Sequence, residues 1–170
     1  MQNIHETSSI KSVALERLSW ARNHTERIVA GVPDDALSHR AGGRGNHALW
    51  VMGHLAWADD DFLAVLTGCR RESSSRDEAL FAAGSVPSDN ASDYPGRQAL
   101  LTSMQLHRRR LMTWVESLDA ESIFAPTPQA FHPFAPDAIR TVFGIVGHDL
   151  LHAGQVATVR ASLGLSTLVS

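Results

Sequence analysis

A single cysteine, Cys69, occurs in 170 residues. No internal disulfide can form and no thiolate cluster can hold a metal, so metal ligands would have to be His, Asp or Glu. Charge of one sign is lacking too: 15 Lys and Arg face 18 Asp and Glu, for a formal net charge of −3. The basic residues are dispersed except for Arg108, Arg109 and Arg110 on one predicted helix, where a solvated face is expected. That distribution gives no electrostatic footprint for nucleic acid. No segment approaches a membrane span, and the opening residues Met1 to Glu6 carry neither a basic region nor an apolar run long enough for a signal peptide. No membrane partner is expected, and a cytoplasmic location follows by default. Alternating apolar and polar runs, the mark of half-buried strands, are missing as well, and no internal repeat is visible.

What is present is a composition of 44% hydrophobic and 19% charged residues, close to that of a soluble folded chain. A chain of this length fits one domain, residues 1–170, with enough core to stand without a structural metal. Any metal is therefore expected to be functional. From Ser9 to about Val29, Ile10, Val13, Ala14, Leu18, Ala21 and Ile28 recur at helical spacing, and Gly31, Val32 and Pro33 end the pattern. A loop-like stretch from Pro33 to Gly45 precedes Asn46, which stands where an N-cap would open a second helix running to about Thr67, with Gly68 as its stop. Arg70 to Asp93 is polar and serine-rich, with a short helical turn expected at Asp77 to Ala83; a connection this long is usually a functional lid or partly mobile. A third helix starts near Pro95 and buries Leu100, Met104, Leu111, Val115 and Leu118. A segment with Pro126, Pro128, Pro133 and Pro136 separates it from a last helix, Ala138 to about Leu163. The expected fold class is all-α, a four-helix bundle with long connections, which does not favour the simplest up-down-up-down arrangement.

His148 and His152 stand four apart on the last helix, so both imidazoles project from one face and can reach a common point. That face also carries Ile145, Val156, Val159 and Leu163, which turns the pair toward the core. A buried imidazole needs partners for both nitrogens, and a metal satisfies one nitrogen of each ring. His54 lies on the stripe of Trp50, Val51, Ala58, Phe62 and Val65 on the second helix, so a third ligand is available from another element. Three neutral imidazoles without a carboxylate suit one divalent ion, zinc, nickel or another borderline metal, and leave positions open for water or substrate. Against this stands the plain fact that nine histidines make an i, i+4 pair a common coincidence.

The stretch Asn46-His47-Ala48-Leu49-Trp50-Val51-Met52-Gly53-His54-Leu55, followed some ninety residues later by His148-Asp149-Leu150-Leu151-His152-Ala153-Gly154-Gln155, resembles the DinB/YfiT-like superfamily of metalloenzymes. The likeness covers essentially the whole chain. It implies a four-helix bundle in which His54, His148 and His152 are the metal ligands. It further implies a metal-dependent enzyme that activates a thiol or water, such as a thiol S-transferase using a low-molecular-weight bacterial thiol, or a hydrolase. The alternative is a non-catalytic, stress-related metal-binding protein. Homodimers are frequent in this superfamily. Leu151 and Ala153 depart from the aromatic residue and Arg that many relatives carry there, but neither is a ligand.

Five further residues are candidates for holding a ligand imidazole or lining a substrate pocket: Gln155, Asp61, His47, Trp50 and Trp57. Asp61 reads either as an acceptor for an imidazole N–H or as a boundary carboxylate in a salt bridge. His47 and Asp61 lie about 10 Å along the helix from His54 and cannot share its metal. Gln155 falls one helical repeat after His148, for a hydrogen bond to a ligand or a neighbouring helix. Trp20, Trp50, Trp57 and Trp114 are expected in the core, with Trp50 and Trp57 flanking His54 by one turn on each side. His24 and His107 read as core histidines. Gly144, Gly147 and Gly154, each costing about 1 kcal/mol inside a helix, call for close helix packing.

Overall fold

Four long helices and one short one carry the chain: α1 (Gln2–Ala30), α2 (Ala48–Thr67), α3 (Ser75–Phe81), α4 (Arg97–Ser117) and α5 (Ala138–Ser162). They come from a computed structural model that describes residues 2–129 and 135–167, with the backbone alone for residues 2–7. The expected Pro133 lies outside the described residues. Among those described there is no strand, and Pro126 pairs with Asp137 in an isolated bridge. The fold is all-α, a helical bundle.

Local chemistry sets the helix ends. His47, not Asn46, caps α2: its Nδ1 accepts from the Trp50 amide at 3.1 Å, which frees the Asn46 amide for a partner on α5. Gly68 closes α2 in the left-handed conformation, φ 73°, which a side chain would resist, and its N–H reaches the Ala64 carbonyl. A capping box between Ser74 and Asp77 starts α3 two residues before the expected turn.

Side-chain pairings fix the helix directions. Arg22 meets Asp149 and the Ile28 carbonyl meets Arg160, so α1 and α5 run parallel. Lys11 reaches the Leu118 carbonyl while Arg97 reaches the Val29 carbonyl, so α4 is antiparallel to α1. Asn46 bonds Gln155 while His54 meets His148, so α2 is antiparallel to α5. The order is up-down-down-up, and α2 and α4 are therefore parallel.

Parallel neighbours need a connection that travels back along the bundle, and residues 68–96 do so strapped to α2. Asp60 accepts from the Glu72 and Ser73 amides and the Ser73 hydroxyl, each at 2.8 Å. His54 meets the Phe81 carbonyl, Trp50 Nε1 donates to Ser85 Oγ, and His47 Nε2 meets the Ser88 carbonyl. The long polar connection is thus tied down along its length, with no resemblance to a free lid.

The core falls into two apolar halves. One gathers Val29, Leu49, Met52, Leu55, Phe81, Leu100, Met104 and Val156; the other gathers Leu18, Leu63, Leu111, Val115, Ile123, Val142 and Ile145. Each fully buried Leu or Ile contributes about 2 to 3 kcal/mol of apolar burial. Between the halves lies a buried ionic layer with one residue from each long helix: Arg22, Asp59, Arg108 and Asp149, exposed by only 3, 2, 3 and 0%. Arg108 forks onto Asp59 at 2.8 and 2.9 Å and also reaches Asp149 at 3.0 Å. Arg22 pairs with Asp149 and Asp59, each at 3.0 Å. Arg108 therefore does not belong to a solvated face: two carboxylates compensate the desolvation of its guanidinium.

Three other expectations change. Val13 and Trp20 are exposed, at 46% and 44%, and Trp20 stacks on a half-buried His24 with centroids 5.5 Å apart. Gly147 and Gly154 face open space: apart from their own helix, no atom of the described residues lies within 4 Å of where a Cβ would sit, so packing among those residues does not compensate them. Gly53, against the Phe81 ring, and Gly31, against the Arg160 guanidinium, do have a steric reason.

Candidate metal centre

His54 from α2 and His148 and His152 from α5 converge at one point where the two antiparallel helices face each other. His148 Nε2 lies 3.1 Å from His54 Nε2 and 3.0 Å from His152 Nε2. One ring nitrogen of each residue falls within 4.8 Å of the others, an arrangement able to hold a metal ion. Nitrogens bound to one ion at about 2.1 Å sit roughly 3.0 to 3.4 Å apart for angles between square and tetrahedral, so the spacing fits a borderline divalent metal.

The outer nitrogens decide the chemistry of the inner ones. His54 Nδ1 lies 2.7 Å from the Phe81 carbonyl, which can only accept, so Nδ1 carries the proton and Nε2 presents a lone pair. His152 Nδ1 lies 2.9 Å from Gln155 Oε1, which also accepts from Asn46 Nδ2 at 3.0 Å, with the same consequence. A single His148 Nε2–H could satisfy only one of these two lone pairs. Three inward nitrogens at such spacing are a set that a cation could satisfy together.

Burial keeps the rings neutral. It is the largest influence pushing His54 down to about 4, with His152 adding to it against the Phe81 carbonyl. Burial and then the neighbouring imidazoles of His152 and His54 push His148 down to about 3. His152 is lowered too, by burial, with Gln155 opposing. At neutral pH all three are in the form that binds metal.

Two indoles brace the site. Trp50 stacks on His54 with centroids 4.4 Å apart and planes within 11°, and Trp57 lies on the following turn at 6.1 Å and 25°. Trp50 is also 5.9 Å from the His152 ring, and Phe62 stands edge-on to His148 at 5.9 Å. A groove of about 560 Å³ lined by Trp20, Asn23, Glu26, Arg27, Ala30 and Leu101 contains none of the three histidines.

Of the five flanking candidates, Gln155, Trp50 and Trp57 come to the cluster. His47 does not: it caps α2 and bonds the Ser88 carbonyl at 2.9 Å. Asp61 does not either; its carboxylate pairs with Arg71 at 3.3 Å, which is the boundary salt bridge. Burial raises its pKa and Arg71 opposes the rise. The carboxylates turned inward are Asp59 and Asp60. Burial alone would raise both, but Arg108 and Arg22 hold Asp59 below the ordinary carboxylate range, and Ser73 with Arg110 does so for Asp60. The Phe81 carbonyl and Asn46 went unrecognised in the sequence, as did the ionic layer. The layer had a readable signal: each of its members stands four residues after a core position, Leu18, Leu55, Met104 and Ile145.

An antiparallel α2–α5 pair presenting three imidazoles to one point inside an up-down-down-up helical bundle defines a histidine-centred bundle whose cluster could hold a metal ion. The DinB superfamily model matches residues 17–156, and the chain belongs to that superfamily. Among curated proteins none matches it.

Proposed function

We propose that His54, His148 and His152 hold one divalent ion through their Nε2 atoms, zinc or nickel, and that the protein is a metal-dependent enzyme that activates a thiol or water. The observation that carries this reading is the tautomer pattern: two of the three Nδ1 atoms are committed to fixed acceptors, so their Nε2 lone pairs face His148 at 3.1 and 3.0 Å. The residues supply the site's selectivity. Three neutral ligands leave the full positive charge on a bound ion, which favours an anionic fourth ligand, a thiolate or hydroxide. When bound, the ion supplies Lewis acidity that lowers the pKa of a coordinated water or thiol toward neutrality. Phe81 and Gln155 hold two imidazoles in register, and Trp50 and Trp57 shield the ring of His54 on either side.

On this reading the reaction is thiol S-transfer from a low-molecular-weight thiol to an electrophilic small molecule, or hydrolysis, in the cytoplasm. A second reading, a non-catalytic metal-binding protein of the stress response, is favoured by one observation. Asp59 and Asp149, the carboxylates on the ligand-bearing helices nearest the cluster in sequence, are both engaged by Arg22 and Arg108, so neither is free as a general base. The test is metal analysis of the purified protein followed by assay of a panel of bacterial thiols and esters with and without chelator. Chelator-sensitive turnover is expected. One tightly held ion with no turnover across the panel would favour the second reading. His54→Ala, His148→Ala and His152→Ala should each lower divalent-metal affinity by orders of magnitude, whereas His24→Ala and His107→Ala should leave the stoichiometry unchanged.

A further inference from the structure

Building on the metal reading above, we propose that the 68–96 connection is the device that sets His54 as a ligand, with Gly53 and Phe81 as its positioning residues. His54 gives its outer hydrogen bond to no side chain. Its Nδ1–H donates to the Phe81 backbone carbonyl, at 2.7 Å and 27 residues away in sequence. A backbone carbonyl can be aimed only by fixing the segment that bears it, and this segment is fixed by packing. The Phe81 ring is 2% exposed and lies so close over Gly53 that a Cβ there would collide with its Cδ1, Cε1 and Cζ. Gly53 immediately precedes His54, so the surface that seats the ring and the imidazole that meets the carbonyl belong to consecutive residues. The seat must therefore be glycine despite its position inside α2, where Ala is the better helix former.

Pins on both sides of Phe81 keep the carbonyl there. Ahead of it, Asp60 holds Glu72 and Ser73, and the Ser74–Asp77 capping box starts α3 directly after. Behind it, Ser85 Oγ donates to the Leu80 carbonyl and accepts from Trp50 Nε1, both at 2.9 Å. Trp50 is the indole stacked on His54. Ring orientation and tautomer of His54 are thus set by one continuous piece of chain, and Gly53 and Phe81 act on the metal only through that imidazole.

The test is Gly53→Ala in the full chain, read two ways. Long-range proton–nitrogen NMR of the metal-free protein reports the His54 tautomer, and titration with Co²⁺ reports affinity and, from its visible bands, ligand geometry. Wild type is expected to hold His54 with the proton on Nδ1. Gly53→Ala is expected to populate the other tautomer and to bind Co²⁺ about 10- to 100-fold more weakly. Adding Phe81→Leu, which removes the ring atoms the new methyl meets, is expected to restore part of both. A merely structural role for Gly53 would change the unfolding midpoint and leave the tautomer alone. Gly53→Ala with wild-type tautomer and wild-type Co²⁺ affinity overturns the proposal. Should Gly53→Ala not fold, Phe81→Leu alone carries the same test with a smaller shift expected, and no shift in either readout is the overturning result. If wild type binds no Co²⁺, the metal reading falls, and an unchanged tautomer in Gly53→Ala overturns the positioning role by itself.

Discussion

Gln155 links the two helices that carry the histidine cluster at the level of a single atom. Its Oε1 accepts from His152 on its own helix and from Asn46 just ahead of α2. Gln155→Ala deletes the acceptor that fixes the His152 tautomer while leaving the ligand itself. Divalent-metal affinity is expected to fall about 10- to 100-fold, less than in His152→Ala, as measured by competition with a chromophoric chelator. The same histidines give the metal-free protein a pH dependence. His54 and His148 titrate near 4 and 3 when folded and near 6.5 when unfolded, so in acid the unfolded chain takes up protons first. Stability is therefore expected to decline as pH falls from 6.5 toward about 4, by up to ~1.4 kcal/mol per pH unit for each histidine. Urea melts across that range check it, and His54→Ala should flatten the slope. At the same scale, glycines divide by what surrounds them. Gly53 and Gly31 answer to a neighbour, whereas Gly147 and Gly154 have none among the described residues outside their own helix.

The element that matters most is the connection between α2 and α4. A polar, serine-rich segment of this length suggests a lid, yet its hydrogen bonds run to α2 at His47, Trp50, His54 and Asp60, about one or two turns apart. Asp60 is its main anchor: it is 1% exposed and accepts three bonds from Glu72 and Ser73 and one from Arg110 at 2.6 Å. Asp60→Ala leaves those donors without their acceptor inside the protein. A loss of about 3 kcal/mol is expected, together with faster hydrogen exchange at residues 72–88. Unchanged exchange there would mean that the segment is held by its apolar contacts alone. This element also explains why Asp61 was a plausible candidate and Asp60 was not. From Ala48 to Leu55 every residue of α2 is buried, because α4, α5 and the strap cover it on most sides. Periodicity names a buried face only when another face is wet, and on α2 it could not separate Asp59, Asp60 and Asp61.

For the molecule as a whole, the ionic layer is the feature on which all four long helices meet. Its two positive and two negative members compensate one another in a place where any one alone would be costly. Arg108→Ala removes the guanidinium that spans Asp59 and Asp149, leaving Arg22 to hold two buried carboxylates. Unfolding free energy is expected to drop by about 3 to 5 kcal/mol, measured by chemical denaturation at neutral pH. A loss below about 1 kcal/mol would show that water reaches the layer. No helix among the described residues is long and apolar enough to cross a membrane.

What the amino-acid sequence determined by itself is local and periodic. Helical spacing of apolar residues gave four long helices, three of them close to their observed bounds and α1 starting at Gln2, seven residues before the expected Ser9, and the four-residue step from His148 to His152 put two imidazoles on one inward face of α5. These follow from 3.6 residues per turn and need no knowledge of neighbours. Only the tertiary structure decided the rest: the parallel pairing of α2 with α4, the four Arg–Asp pairings of the buried layer, and the Phe81 carbonyl that meets His54. Each joins groups 27 to 127 residues apart. A backbone carbonyl has no residue identity to recognise, and a buried charge is affordable only once its partners have been folded against it.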